Sequence, residues 1–385
     1  MQLVNIEKRI IRGLLHVYYI FPIRKNRVIF NSMTWKQYSC NPKYITEYLL
    51  ANYPGKFEII WAFEDPDKFA YLKEKGITTV KTRTPKYYKY RLTSRVSVCN
   101  VTMGSEVPPR KGQYRINTWH GGGGGYKRID YSDEMAYWPA REMADTDLFC
   151  ASSETSLKNT VRIAFKHEGE YFGGTPRNDM LVNNDRDDLR ADVHKSLKLD
   201  DDTKILLYAP TYREGADIRH YSDKSDYGLD YLRLKKAMED KFGGNWAIAI
   251  RFHPRVKDYT LPKEPGIVDA TVYPDMQELL ASVDAMVTDY SSSLWDFSFT
   301  GKPCIQFCED LEEYKAKRGF NKPIEEWGFP IATSNDEMES IIENWDWDTF
   351  NKNMDRHHTE NGSFEDGTAT KRMCEIIYNK CFGDS

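Results

Sequence analysis

Apolar runs rich in β-branched and aromatic residues recur along the chain and alternate with segments whose apolar positions follow a helical spacing. In the first half the runs fall at 27–30, 58–63, 78–81, 96–101, 114–119 and 147–151, and helical patterns at 42–51, 66–75, 85–94 and 153–165. A polar, charged stretch at 183–202 interrupts the rhythm. Alternation resumes with predicted strands at 204–209, 246–252, 284–289 and 303–307, and predicted helices at 229–241, 276–282, 291–300, 335–344 and 368–381. Strand–helix alternation predicts an α/β fold of doubly wound sheets. The 385 residues leave room for two such bodies. Two Rossmann-like domains facing across a cleft are expected, with ligands at the carboxyl ends of the strands. The expected division is a segment 1–26, a first domain 27–190, a second domain 200–365 and a closing helix 366–385.

Charge changes the picture through its distribution. The 54 Lys and Arg against 58 Asp and Glu give a net charge of −4. Residues 1–130 carry 23 basic and 9 acidic side chains, and the rest carry 31 and 49. A bipolar chain expects an anionic partner for its first part: nucleic acid, an acidic membrane surface or a polyanionic substrate. The run Lys81, Arg83, Lys86, Lys89, Arg91 and Arg95, interleaved with tyrosines, is a candidate for that surface or a solvated helix face. Seven scattered cysteines without a CxxC pair read as reduced thiols of a cytosolic protein.

Near the N-terminus, the apolar run from Gly13 to Ile23 is about half the ~20 residues that span a bilayer. Pro22 breaks it, and it offers no small-residue cleavage site. Lys8, Arg9, Arg12, Arg24, Lys25 and Arg27 flank it. The pattern suits an amphipathic helix lying on an anionic membrane, and equally a helix packed on its own domain.

Polar residues just past predicted strands carry the candidate chemistry. Asn117-Thr118-Trp119-His120 leads into five glycines, Gly121 to Gly125, and then Tyr126, Lys127 and Arg128. The glycines let backbone N–H groups approach an anion, and the cations add charge. Gly121, Gly122, Lys127 and Arg128 are candidate acceptor-binding or loop residues. Arg251 and His253 flank Phe252 at the end of a strand, a pair suited to a diphosphate oxygen. Thr288-Asp289-Tyr290-Ser291-Ser292 runs from a buried strand into a helix start, where hydroxyls and backbone amides suit an anion, or a simple N-cap. Arg213, in Tyr208-Ala209-Pro210-Thr211-Tyr212-Arg213, also lies past a strand. No P-loop, HExxH or nucleophile-elbow pattern is present, and the spaced aspartates give no metal site.

Together these segments resemble the CDP-glycerol glycerophosphotransferase family, the polymerases and primases of bacterial teichoic acids and related capsules. The matching residues are Thr118-Trp119-His120-Gly121, Gly174-Thr175-Pro176-Arg177-Asn178-Asp179, Tyr208 to Arg213, Arg251-Phe252-His253-Pro254, Thr288 to Ser292, and Asp366-Gly367 followed by Arg372. The family often has Gly-Thr-Pro-Leu-Lys after the histidine, where this chain has its glycine run, and that difference bears on acceptor and alditol.

The resemblance implies a GT-B fold and transfer of glycerol phosphate from CDP-glycerol to a hydroxyl of a lipid-linked polyanionic glycan, releasing CMP. It implies His120 as general base. His253 and Arg251 would stabilise the diphosphate, and Thr288, Ser291, Ser292 and Arg213 would hold phosphate oxygens. Neither a cofactor nor a metal is demanded, and no nucleic-acid partner is implied. The protein would work peripherally on the cytoplasmic face of the bacterial membrane. CDP-ribitol is the alternative donor. A GT-B nucleotide-sugar glycosyltransferase, which would release a nucleoside diphosphate, and a non-catalytic polyanion-binding scaffold are the rival classes.

Overall fold

The structure, a computed structural model, describes residues 2–121, 142–184, 187–211, 228–253, 256, 259–317 and 319–383. They form two compact units. Of the described residues, the first takes 2–120, 142–179 and 364–383, and the second takes Gly121 and those of Met180–Ser363. The sequence pattern set the junction at 183–202. The units change between Asp179 and Met180, just before that stretch, much of which is the helix Asp187–Leu197.

The first unit holds β1 (Arg24–Phe30), β2 (Glu58–Phe63), β3 (Thr78–Lys81), β4 (Ser94–Cys99), β5 (Tyr114–Asn117), β6 (Leu148–Ala151) and β7 (Glu170–Gly173). All pair in parallel, in the order β3-β2-β1-β4-β5-β6-β7. β2 reads Glu-Ile-Ile-Trp-Ala-Phe and buries everything after its first residue, as a strand covered on both faces must. The second unit repeats the plan with β8 (Lys204–Tyr208), β9 (Trp246–Ile250), β10 (Ile267–Asp269), β11 (Ala285–Thr288), β12 (Cys304–Phe307) and β13 (Ile331–Ala332), in the order β10-β9-β8-β11-β12-β13. In each sheet the winding reverses beside the first strand, between β1 and β4 and between β8 and β11. Those are the switch points where such sheets bind ligands.

Three strands escaped the sequence pattern: β7, β10 and β13. Each is the edge of its sheet and only two to four residues long. An edge strand is covered on fewer sides, so it lacks the continuous apolar run that marks a central one. The helix Trp347–Asn361 was also absent from the pattern. The helix expected at 153–165 is one α-turn, Glu154–Ser156, running into a π-helical stretch, Leu157–Ala164.

The helix Ala369–Phe382 returns to the first unit. Met373, Cys374, Ile377 and Cys381 share one core cluster with Val28, Ile45, Leu49 and Val96. At the other end, Gln2–Leu14 is α-helical and continues as a 3₁₀ segment, Leu15–Ile20. Leu15 is buried with Leu92 and Val107, and Arg12 donates to the Ser105 carbonyl at 3.0 Å and pairs with Asp145 at 2.9 Å. No helix among the described residues is long and apolar enough to cross a membrane. All seven cysteines are buried thiols.

Part of the positive charge of the first 130 residues is internal. Arg91 and Arg115 are buried, and burial, with Arg91 adding to it, pulls Arg115 down to about 9. The lysines of the same run, Lys86 and Lys89, are exposed on the helix Pro85–Thr93. That run is therefore divided between core and surface.

Candidate active site

In the first unit the site is built at the end of β5. Asn117 folds its side chain back onto the turn: Oδ1 accepts from the Trp119 N–H at 2.9 Å, and Nδ2 donates to the Val101 carbonyl at 3.2 Å. The Thr118 N–H donates to the Cys99 carbonyl at 2.7 Å, extending the β4–β5 pairing one step. Trp119 then takes φ +52°, a left-handed conformation that is unfavourable for a bulky side chain by roughly 1–2 kcal/mol. Its ring packs 4.3 Å from that of His120 and edge-on to Phe165 at 4.5 Å.

His120 is partly buried, with Nδ1 2.8 Å from the main-chain oxygen of Asn100, just past β4. A carbonyl only accepts, so Nδ1 carries the hydrogen, and the neutral ring has its lone pair on Nε2. Asn100 is held in turn. Its Oδ1 accepts from the Met33 N–H at 2.8 Å and its Nδ2 donates to Ser32 Oγ at 3.1 Å, which ties it to the chain leaving β1. That chain is itself strained, since Met33, Thr34 and Trp35 all have positive φ. The switch point of this unit therefore carries the carbonyl that orients the imidazole.

A second brace comes from Arg177. This buried guanidinium donates through Nη1 to the His120 carbonyl at 2.6 Å and to Cys40 Sγ at 3.3 Å. The main-chain N–H of Arg177 donates to Asn41 Oδ1 at 2.9 Å, while Asn41 Nδ2 donates to the carbonyls of Thr118 and Trp119. The rest of the 174–179 segment binds the C-terminal stretch. Asp179 accepts from the N–H groups of Ala369 and Thr370, capping that helix from outside it, and Glu365 accepts from the Thr175 N–H. Arg372 donates to the Gly173 carbonyl and pairs with Asp366. Gly174 takes φ +108°, a conformation L side chains rarely adopt, and a Cβ there would sit tightly, 3.1 Å from Ala369 Cβ and Arg372 Nη2. The two sequence segments without an assigned role thus form one structural joint behind the histidine.

The second unit places its candidates around β8, β9 and β11. Thr288 is fully buried, with its hydroxyl donating to the Ala209 carbonyl at 2.7 Å. It joins two strands at the switch point and does not face a ligand surface as the sequence reading had it. Arg251 also differs from that reading. Its Nη1 donates to the carbonyls of Ala270 at 2.8 Å and Tyr273 at 2.6 Å, so the guanidinium clamps the loop after β10. Burial lowers its pKa, against the pull of Asp275 and Asp269. His253 is exposed just beyond it, with its carbonyl accepting from the Val256 N–H at 2.8 Å.

Ser291 and Ser292 are partly buried. The Ser291 and Ser293 hydroxyls lie 2.8 Å apart, and the helix they open is short, Ser293–Ser298, inside the predicted 291–300. Asp289 had no assigned role. It is buried, and its carboxylate accepts from the Thr211 N–H, the Thr211 hydroxyl at 3.0 Å and the Tyr290 N–H at 2.6 Å. Asp289 therefore fixes Thr211 against the end of β11. Gly121 is described, while Gly122, Lys127, Arg128 and Arg213 lie outside the described residues. Among the described residues no group of three or more His, Cys, Asp or Glu could hold a metal ion.

A family model, CDP-Glycerol:Poly(glycerophosphate) glycerophosphotransferase, matches residues 14–379. A teichoic acid poly(glycerol phosphate) polymerase of Bacillus subtilis (strain 168) is 28% identical over 336 residues, 83% of this chain and 44% of that protein. This chain also spans 51% of the polymerase of the same name from Staphylococcus epidermidis, so it covers about half the length of both. A teichoic acid glycerol-phosphate transferase of Staphylococcus aureus is 26% identical over 389 residues, 92% of this chain and 93% of that protein. Among solved structures, the wall teichoic acid polymerase TagF superposes with a TM-score of 0.80 at 24% identity, covering 98% of this chain and 95% of that one. The two-Rossmann, GT-B-type fold is shared with it.

Proposed function

The chain belongs to the CDP-glycerol:poly(glycerophosphate) glycerophosphotransferase family, and on that premise we propose that it transfers glycerol phosphate from CDP-glycerol to a hydroxyl of a lipid-linked teichoic-acid or capsule-type acceptor. The observation that carries the reading is the tether of His120 Nδ1 to the Asn100 carbonyl, which leaves Nε2 as the basic nitrogen of a fixed ring. The acceptor hydroxyl gives its proton to Nε2 while its oxygen bonds to the phosphorus that bears glycerol. The bond from that phosphorus to the bridging oxygen breaks, and CMP leaves with the bridging oxygen. Such a transfer asks mainly for positioning and for charge on the diphosphate oxygens.

His253, Ser291 and Ser292 are the side chains we assign to those oxygens, with Arg213 as a further cation. Arg251 and Thr288 act as struts that hold the loops around them. Lys127 and Arg128, after Gly121 and Gly122, would meet the polyanionic acceptor. A CDP-alditol is a cytosolic nucleotide and the acceptor is lipid-linked, so the reaction belongs at the cytoplasmic face of the membrane. CDP-ribitol is the second donor to test, because a teichoic acid ribitol-phosphate primase of Bacillus spizizenii is also 26% identical to this chain.

The test is CMP release from CDP-glycerol and CDP-ribitol, side by side, with a lipid-linked glycerol phosphate acceptor. One donor should react, and His120→Ala should lower the rate by about 10²–10⁴-fold with donor affinity retained, the size of a lost general base. Unchanged turnover in that variant would remove His120 from the chemistry. Nucleoside diphosphate released from a nucleotide sugar would replace this reading with the glycosyltransferase.

A further inference from the structure

The connection from β5 to β6 is fastened at two places to one turn, residues 100–103, which leaves the end of β4 and belongs to no helix or strand. His120, at the start of the connection, reaches the turn through Nδ1, 2.8 Å from the Asn100 main-chain oxygen. Glu142, shortly before β6, reaches it with its carboxylate. Oε2 accepts from the Thr102 hydroxyl and Oε1 from the Met103 N–H, both at 2.5 Å. The main chain of Glu142 is fixed in turn, its carbonyl accepting from the Thr146 hydroxyl at 2.9 Å.

Other side chains bond the carbonyls of the turn. Asn117 donates to that of Val101 at 3.2 Å, Asn31 to that of Thr102 at 3.0 Å, and the Tyr87 hydroxyl to that of Met103 at 2.9 Å. The Thr102 hydroxyl and the Met103 N–H are donors, and the acceptor for both is Glu142. A turn without a ladder of its own keeps its shape through such bonds. The Asn100 oxygen belongs to the peptide unit that leads into Val101, so rotation of that unit swings it away from the imidazole. Removing the carboxylate strips two donors of their acceptor and loosens the end of the turn that limits this rotation. A displacement of about 1 Å in a positioning group can cost ~100-fold in rate.

We propose that Glu142 is a positioning residue for His120. By holding the far end of the turn it keeps the Asn100 carbonyl aimed at Nδ1, and so keeps the lone pair of the neutral ring on Nε2. Glu142 acts through the turn and not on the reacting atoms. Its meaning for catalysis rests on His120 being the general base. The tautomer itself can be read with neither donor nor acceptor present, so either assignment can fail alone.

The experiment joins nitrogen-15 NMR of the full chain, labelled at its histidines, to steady-state kinetics. The spectrum of His120→Gln identifies the His120 signals. In the wild type that ring should show one neutral tautomer, with its hydrogen on Nδ1. Glu142→Ala should turn it into an exchanging mixture and lower kcat by about ten- to a hundredfold, with KM for the donor within about twofold. Glu142→Gln can keep both contacts, Oε1 accepting from the Met103 N–H and Nε2 donating to the Thr102 oxygen. It should restore the tautomer and bring kcat to within about fivefold of wild type, a rescue that lost packing alone does not predict. Thr102→Val deletes one of the two contacts and covers the case in which Glu142→Ala does not fold. It should move the tautomer the same way and lower kcat by about three- to tenfold. A wild-type tautomer in the Ala and Val variants, or a Gln variant that falls as far as the Ala one, would overturn the proposal. Full turnover in His120→Ala beside a shifted tautomer in Glu142→Ala would remove the general base and leave Glu142 in control of the ring.

Discussion

His120 and Asn100 sit past the ends of neighbouring strands, and the main-chain oxygen of one orients the imidazole of the other at 2.8 Å. The orienting group is a backbone atom, so no substitution at Asn100 deletes it. What a substitution can change is where it lies.

Arg177 offers the sharper test of that arrangement. Its Nη1 bonds the His120 carbonyl and Cys40 Sγ, and it stands in the same joint as Asn41. Lysine keeps the charge but not the fork geometry. Arg177→Lys should lower kcat by ten- to a hundredfold with KM for the donor nearly unchanged. It should also lower stability by about 1–3 kcal/mol, for buried carbonyl and sulfur acceptors left poorly paired. Steady-state kinetics beside thermal melts check both. A rise in KM alone would place Arg177 with the donor.

Asp289 governs the other unit. Its carboxylate accepts from the Thr211 N–H and hydroxyl and from the Tyr290 N–H, so Asp289→Asn sets an amide N–H₂ where an acceptor is needed. A loss of about 1–3 kcal/mol in unfolding free energy is expected, with donor KM raised and the rate at saturation less affected. Denaturant titration and donor saturation curves measure these two effects.

Acid sensitivity should trace to His357. Burial, reinforced by His358 and Lys322, holds its folded pKa down at about 3, and burial also lowers that of His358. In the unfolded chain a histidine protonates near its ordinary pKa of about 6.5, so between those values the unfolded state binds the extra proton. Stability from this group is complete above about pH 6.5 and declines as pH falls toward 3. The slope is at most about 1.4 kcal/mol per pH unit per histidine. His357→Phe should flatten the fall in unfolding free energy between pH 6.5 and 4.5, and a slope equal to wild type would count against it.

What the sequence disclosed follows from physics that is local. β2 and β9 are continuous apolar runs because both faces are covered, and such runs stand out in one dimension. His120 stands out in the sequence because packing gives no reason for a histidine between a strand end and a glycine run. Arg251 and Thr288 have the same address but different work, since a residue past a strand can bend back onto the strand's own neighbours. Only the carbonyls of Ala270, Tyr273 and Ala209 reveal that. Arg177 and Asp289 were visible as letters in a motif, yet their partners lie far away in sequence: Cys40 for one and Thr211 for the other. Asn100 left the faintest mark, because its contribution to the site is a backbone oxygen that any residue would carry.

The return of Ala369–Phe382 to the first unit sets the order in which the protein can be completed on the ribosome. Val28, Ile45 and Val96 emerge before Met180–Ser363 is made, but the residues that cover them, Met373, Cys374 and Ile377, emerge only after it. At ~5–20 residues per second the whole second unit is synthesised first, an interval of roughly ten to forty seconds. Throughout it, the older half of the nascent chain carries an open apolar groove, while Met180–Ser363 is uninterrupted and can close its own core. The unit begun before Met180–Ser363 is therefore completed only after it.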